Sequence, residues 1–492
     1  MQVQKRFPAA AKAYQQAIKL DPTALDSRFN LGVCLQQQGK FDAAVEAYRK
    51  LLASRPDHLK ACINMAAALG AAGHLDEAIE AFQQAFSLRP HDPEIGYRLA
   101  LALEQTHRLQ QARTVLVNIL EHSPNHAAAS LLLARLERRA GELDASRHRL
   151  QAINMTGMAA DMTSRIHTET GRVLEQLGEF GDAFDSYARA QASIHDTQGA
   201  MSLRASGWLE HVASLRQGIT ANRVATWSNS PPPSIANDGP PPVFLIGHPR
   251  SGTTLVEQVL GAHQRFATND ERPVLRNLAD RFRQTHGEHN WITALDTLSE
   301  DELQSLRTTY RQAGAQQARD PAEGVRLIDK NPLNLVEMAF ARRIFPDALI
   351  IMLLRDPRDV CLSCYTQLFR LNSAMAWFTS LTDTARHYAA VMDLWQHYQA
   401  VLGLNILEFR YEDFVKNLEG HSRDMFAFLD EDWDANVLHY HEQSRQHYIS
   451  TPSYEGVTSA PYSSSIGRWR NFSSQLQPVI PVLQPYVNLF GY

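Results

Sequence analysis

Val243-Phe244-Leu245-Ile246-Gly247-His248-Pro249-Arg250-Ser251-Gly252-Thr253-Thr254-Leu255 decides how the second half of this 492-residue chain folds. Four apolar residues ending in Gly, then a Pro/Arg/Ser/Gly turn, then Thr-Thr-Leu opening an amphipathic run predict a buried strand, a tight loop and a helix N-terminus. Such a loop is a phosphate cradle, because successive backbone N–H groups, backed by the positive end of a helix dipole, converge on an anion. Gly247 and Gly252 bracket four residues as in the P-loop pattern GxxxxGK[ST], but Thr253 stands where that pattern has its Lys. The group that reaches β- and γ-phosphates is therefore missing. Arg250 can supply charge instead, and Thr253 and Thr254 can donate from their hydroxyls, so a nucleotide with a different terminal group is expected in place of ATP or GTP.

Outward from the loop, apolar runs recur at 325–328, 348–354 and 404–409, separated by amphipathic stretches such as 335–344 and 384–402. Strands alternating with helices predict an α/β, P-loop-like domain with a parallel sheet, and ligands at the carboxyl ends of its strands. Past one run comes Asp329-Lys330-Asn331-Pro332, and past the next Arg355-Asp356-Pro357-Arg358-Asp359, leading into a helix that carries Ser363. Lys330 and Lys416 are the only lysines in residues 229–492, and a compact point charge at a strand end suits a single bridging oxygen. Arg355 offers the bidentate fork that phosphate geometry rewards. Its plainer alternative is an ion pair with Asp356 or Asp359.

Pro249 to Thr254 reads PRSGTT, and here the chain resembles the sulfotransferase family, within it the tyrosylprotein sulfotransferase-like group, over about residues 242–492. The resemblance implies the donor 3′-phosphoadenosine-5′-phosphosulfate, with adenosine 3′,5′-bisphosphate as product and no metal. It implies that Arg250, Ser251, Gly252, Thr253, Thr254 and Leu255 hold the 5′-phosphosulfate, and that Arg355 and Ser363, eight residues apart, grip the 3′-phosphate. Glu271, in Thr268-Asn269-Asp270-Glu271-Arg272-Pro273, falls on the family's catalytic base, with Asp270 and His263 as the alternatives. Lys330 and Arg250 then stabilise charge on the bridging and sulfuryl oxygens. Tyr411 would border the adenine, Arg468 would stand near the 3′-phosphate, and Ser453 would correspond to a late Ser near the reactive oxygen.

The first half carries a different signal. Pro22, Pro56, Pro90 and Pro124 recur at a fixed interval, as do Ala10, Ala44, Ala78 and Ala112, the small residues Gly32, Ala66, Ala100 and Ala134, and the large Tyr14, Tyr48, Phe82 and Leu116. That interval is the tetratricopeptide period. Small residues let the two helices of a unit approach, the large one fills the gap to the next unit, and Pro ends the second helix. The expectation is an all-α solenoid over 1–228, with a further unit around Gly171 to Tyr187, a Pro-rich linker at 229–241 and a sulfotransferase domain at 242–492. Such an array either presents a concave surface to a polypeptide or scaffolds and dimerises the second half.

Composition narrows the function classes. Residues 1–228 hold 25 Lys and Arg against 23 Asp and Glu, and residues 229–492 hold 23 against 30, so neither half is a basic surface for nucleic acid. No stretch has the length of a membrane span, and the opening residues lack a signal peptide's apolar core, which predicts a cytoplasmic protein. Cys34, Cys62, Cys361 and Cys364 are too few for a disulfide framework. Cys361 and Cys364 form C-x-x-C, which permits a redox reading, although buried helical thiols account for it as well. The reading is sulfuryl transfer to a hydroxyl acceptor, and a protein tyrosine, a sugar or a small phenol would all fit. The rivals are a P-loop kinase or NTPase and a catalytically inactive interaction protein that binds nucleotide.

Overall fold

A computed structural model describes residues 6–228, 240–287, 290–318, 325–440 and 465–492. By packing, the chain forms two compact units, Met1–Glu179 and Phe180–Tyr492.

The first unit is a succession of helices from Arg6–Leu20 to Ala160–Gln176, and the four repeating registers explain their spacing. The helices Arg6–Leu20, Phe41–Ser54, Leu75–Leu88 and Leu109–His122 each stop two residues before one of the four prolines, where a ring without an N–H cannot continue the ladder. Ala44, Ala66, Ala78, Ala100, Ala112 and Ala134 are all fully buried, as are Tyr48 and Leu116. Gly32 shows why small residues are needed at this register, since an added Cβ would lie 2.5 Å from Cε1 of Tyr48. Beyond the fourth proline the pairing continues with Ala127–Arg139, Leu143–Gln151 and Ala160–Gln176.

Residues 180–228 stay helical, as the extended solenoid predicts, but they pack with the second unit. The packing boundary thus lies ahead of residue 228. The physical reason is that these helices carry large side chains with partners further along the chain: Gln191 Nε2 donates to the Tyr365 carbonyl at 2.5 Å and Trp227 Nε1 to Asp296 Oδ1 at 2.8 Å. Most of the expected Pro-rich linker, and Ser453, lie outside the described residues.

The second unit is built on five parallel strands: β1 (Val243–Gly247), β2 (Phe266–Thr268), β3 (Arg326–Lys330), β4 (Leu349–Leu354) and β5 (Asn405–Arg410), in the order β2-β3-β1-β4-β5. β1 and β4 are buried along their whole length, which is why they read as continuous apolar runs. In β3 the apolar run ends early and Asp329 and Lys330 complete the strand, both fully buried. β2 is only three residues long and gives no run of its own in the sequence. This order brings the loops after β1, β3 and β4 side by side at one edge of the sheet, where α/β domains bind their ligands.

Candidate active site

β1 delivers the chain into the loop His248–Gly252, and two glycines permit the turn. A Cβ on Gly247 would lie 2.8 Å from the Leu353 carbonyl in β4, and one on Gly252 would overlap the Tyr411 ring. Gly252 has φ +101 and starts the helix Thr253–Gly261. Arg250 also stands in the left-handed region, at φ +72, a conformation that a non-glycine residue holds only when its surroundings enforce it. They do so here: Arg355 Nη1, just past β4, donates to the Arg250 carbonyl at 3.0 Å, while Arg250 Nε donates to Ser363 Oγ at 3.0 Å. The Arg355 guanidinium also lies 4.9 Å from the centre of the Tyr411 ring. Two residues singled out for opposite ends of a nucleotide thus touch. Within this group, Ser251 Oγ and Arg355 Nε are buried and make no hydrogen bond to the described residues, leaving donors for an anion.

The loop is braced from behind. His248 is buried, and burial lowers its pKa to about 4, so it is neutral near pH 7. Its Nδ1 lies 3.0 Å from the Pro249 carbonyl and its Nε2 3.1 Å from Nδ1 of His387. With a carbonyl on one side, His248 carries its proton on Nδ1 and accepts from His387 on Nε2. Cys364 Sγ donates to the same Pro249 carbonyl at 3.3 Å. Burial pushes the thiols of Cys361 and Cys364 up, and both are free. These are inert packing thiols.

The opposite side of the site is a strained acidic turn. After β2, Asp270 and Glu271 both have positive φ, 49° and 63°. Asn269, buried just before them, fixes the turn to β3: its Oδ1 accepts from Lys330 N at 3.0 Å, and its Nδ2 donates to Asp329 Oδ1 at 2.8 Å and to the Arg272 carbonyl at 3.2 Å. Asp329 also accepts from Tyr310 Oη at 2.9 Å and Asn334 Nδ2 at 3.0 Å. Burial raises its carboxyl to about 6 against the pull of these bonds. From the turn, Glu271 Oε1 accepts from Lys330 Nζ at 2.7 Å. Nζ is also 2.8 Å from Oε2 of Glu257, on the helix that follows the loop. Burial acts to lower the Lys330 pKa, but the two carboxylates outweigh it and the net shift is upward. Glu257 is pushed the other way from an ordinary carboxylate, up to about 7, because burial outweighs Lys330.

A cleft of about 370 Å³ joins the two sides. Arg250, Gly252, Thr253 and Thr254 line it from the loop and Glu271 from the turn. Its outer wall carries Arg276, Asn277 and Asp280 from the helix Val274–His286, together with Phe369, Asn372 and Met375.

Residues 241–435 match the sulfotransferase family model, and residues 3–58, 69–121 and 107–159 match tetratricopeptide repeat models. Residues 241–435 form a sulfotransferase-family domain. Protein-tyrosine sulfotransferase A of Caenorhabditis elegans is 27% identical over 212 residues, 41% of this chain and 53% of that protein. Protein-tyrosine sulfotransferase 1 of Danio rerio is 25% identical over 219 residues, 44% and 61%. A protein of Aquifex aeolicus (strain VF5), described as uncharacterized, is 28% identical over 325 residues, 64% and 40%. The chain spans about half the length of the curated relatives it matches.

Within the sulfotransferase-family domain, Arg250, Ser363, Arg355 and Tyr411 form one cluster and Glu271 and Lys330 another. Tyr411 lies against the loop at Gly252, and its hydroxyl is 3.2 Å from Ser465 Oγ, so it is part of the cradle's floor. Arg468 donates to Thr366 Oγ1 at 3.1 Å, one turn beyond Ser363. Its neighbours explain this position, since Asp359 accepts from Gly467 N at 2.6 Å and from Trp469 N at 2.7 Å and anchors the segment there. His263 packs between Phe266 and Phe426, with ring centres at 5.6 and 4.9 Å, as a structural residue. Lys330 is fully buried behind Glu271 and does not line the cleft. Glu257 and Asn269 were not legible as site residues. The only hint of Glu257 is one acidic residue inside the apolar run Thr254–Leu260, and nothing in the sequence marks Asn269.

Proposed function

We propose that this chain transfers the sulfuryl group of 3′-phosphoadenosine-5′-phosphosulfate to a hydroxyl acceptor. The observation that carries the reading is the contact of Arg355 and Arg250 across the loop, with Ser363 on Arg250 and Glu271 on the same cleft. The loop amides and the Thr253 and Thr254 hydroxyls hold the 5′ end, and Arg355 with Ser363 takes the 3′-phosphate. The chemistry of the donor set fits: forked cations, hydroxyls and backbone N–H groups suit a nucleotide with two separate anionic ends. The absent P-loop Lys argues against a γ-phosphate.

In this reading Glu271 takes the acceptor's proton, and Arg250 stabilises the negative charge that builds on the sulfuryl oxygens. Lys330 neutralises the bridging oxygen after Glu271 turns aside. Positioning and aimed cations do most of the work, as in phosphoryl transfer. Pro273, Leu333, Phe369 and Met375 give the cleft an apolar wall that suits a ring, and the named relatives are protein-tyrosine sulfotransferases. A tyrosine of a polypeptide held by the repeat array is therefore the acceptor we put first. The four thiols are free, which fits a reducing, cytoplasmic setting.

Titration calorimetry tests the donor site. Adenosine 3′,5′-bisphosphate should bind at least tenfold more tightly than adenosine 5′-monophosphate, and Arg355→Ala should abolish that preference. Equal affinities in the unaltered chain would sink the reading.

A further inference from the structure

Lys330 has two carboxylate partners of unlike character. The Glu271 side chain is 35% exposed, rises from a left-handed turn and borders the cleft. The Glu257 side chain is 1% exposed and sits on the first turns of the helix that begins in the phosphate loop. Apart from Lys330 Nζ, 2.8 Å from Oε2, neither oxygen of Glu257 has a hydrogen-bond partner among the described residues. An ionised carboxylate sealed from water without such bonds is costly unless a cation compensates it, and Lys330 is that cation. The ammonium in turn is fully buried, so it cannot lose both partners at once.

These roles divide naturally over the reaction proposed above, on which this inference rests. At the start Glu271 is engaged with Lys330. It must release the ammonium to accept the acceptor's proton, and Lys330 must stay at the end of β3 to meet the leaving oxygen. As the acceptor oxygen forms its bond to sulfur, its proton goes to Glu271. The bond from sulfur to the bridging oxygen breaks, and its electron pair stays on the departing 5′-phosphate beside Lys330.

We propose that Glu257 is the buried second partner of Lys330, a positioning residue that keeps the ammonium in the site while Glu271 lets go of it. Without Glu257, Glu271 would be the only counter-charge left to Lys330 among the described residues, and the base would be tied to the ammonium through the whole cycle. Removing a negative charge beside an anion site should not weaken nucleotide binding. A loss of packing alone would weaken binding and turnover together.

The test uses the full chain with Glu257→Gln and, because a buried amide can also disturb folding, Glu257→Met. Turnover is read as adenosine 3′,5′-bisphosphate released from the phosphosulfate donor with water as acceptor, and affinity by calorimetry with the bisphosphate. Both variants should lose at least tenfold in kcat while binding the nucleotide as tightly as the unaltered chain or more so. Unchanged kcat, or parallel losses in kcat and affinity, would overturn the proposal. Unfolding measurements on Glu257→Gln, Lys330→Met and the double variant report the pair without any nucleotide: the effects should be non-additive, and additivity would also overturn it. If the unaltered chain neither prefers the bisphosphate nor turns the donor over, the reading of the reaction falls, and the role given to Glu257 in it falls too. The unfolding cycle then still reports separately whether the two side chains are coupled.

Discussion

Gly32 and Gly252 both lie too close to a tyrosine ring to accept a side chain, yet they belong to different kinds of construction. Gly32 meets Tyr48 on the next helix of the array. Gly252 meets Tyr411, which follows β5 after four intervening strands and crossovers. The repeat unit buries its small and large residues against near neighbours, so its packing is written in a period. The second unit draws its contacts from the ends of distant strands, so it is written in isolated motifs whose meaning depends on the sheet that joins them. The same contrast governs charge. Arg49 with Glu77, Arg113 with Glu142 and Arg147 with Glu179 each reach from one helix to the start of the next but one at the surface, where such pairs contribute little. The buried Lys330 pairs join three separate elements around a cleft.

If the two units are built this differently, a change in one should leave the behaviour of the other untouched. The largest expected effect is Glu271→Gln, which should lower turnover by about 10²- to 10⁴-fold, the range of a positioned general base, while nucleotide affinity by calorimetry is kept. If turnover survives, the role moves to Asp270. Next comes the glycine pair. Gly32→Ala should cost about 1–3 kcal/mol of stability by overpacking, seen as a lower unfolding midpoint, with bisphosphate affinity unchanged. Gly252→Ala, strained by its positive φ as well, should weaken bisphosphate binding by at least about tenfold, or about 1.4 kcal/mol. An affinity loss in the first variant would show that the two constructions are not independent.

The smallest effect is a pH slope confined to the second unit. Glu257 carries its folded-state pKa at about 7 against an ordinary 4.5, and Asp329 at about 6 against 3.8, both mainly through burial. Each is raised, so the native state binds these protons more tightly than the unfolded chain does. That stabilisation is complete below the ordinary values and is lost as pH rises through the folded ones. The charged groups facing Glu257 are Lys330, Asp270 and Glu271. From about pH 5 to about pH 8 this contribution falls, while the buried neutral His248 contributes in the opposite sense, and Glu257→Gln should remove a falling part on the order of 1 kcal/mol from the measured slope. An unchanged slope would remove Glu257 as its source.

Much of the architecture was legible. The proline and alanine registers located the array, and the apolar runs located four of the five strands. β2 escaped because three residues carry no periodicity; it exists because β3 offers it an edge to pair with. Arg355 and Ser363 could be picked out by their spacing, but not the detail that Ser363 receives Arg250 while Arg355 holds the Arg250 carbonyl. The helix Phe180–His195 follows the repeat pattern, but its Gln191 finds its partner at the Tyr365 carbonyl, beyond the reach of any pattern read along the chain.

Local patterns along the chain are enough to specify the elements: helices whose faces repeat, strands too apolar to lie anywhere but in a covered sheet, and a glycine-bounded loop that can do little but bind an anion. Those outcomes follow from local sterics and from periodic burial. Which charges face one another is set by the folded arrangement of the crossovers. It set Lys330 behind Glu271 rather than in the open cleft, and it gave the ammonium a second partner in Glu257. Pairing of charges depends on where the crossovers return the chain, and burial then fixes how strongly each pair acts.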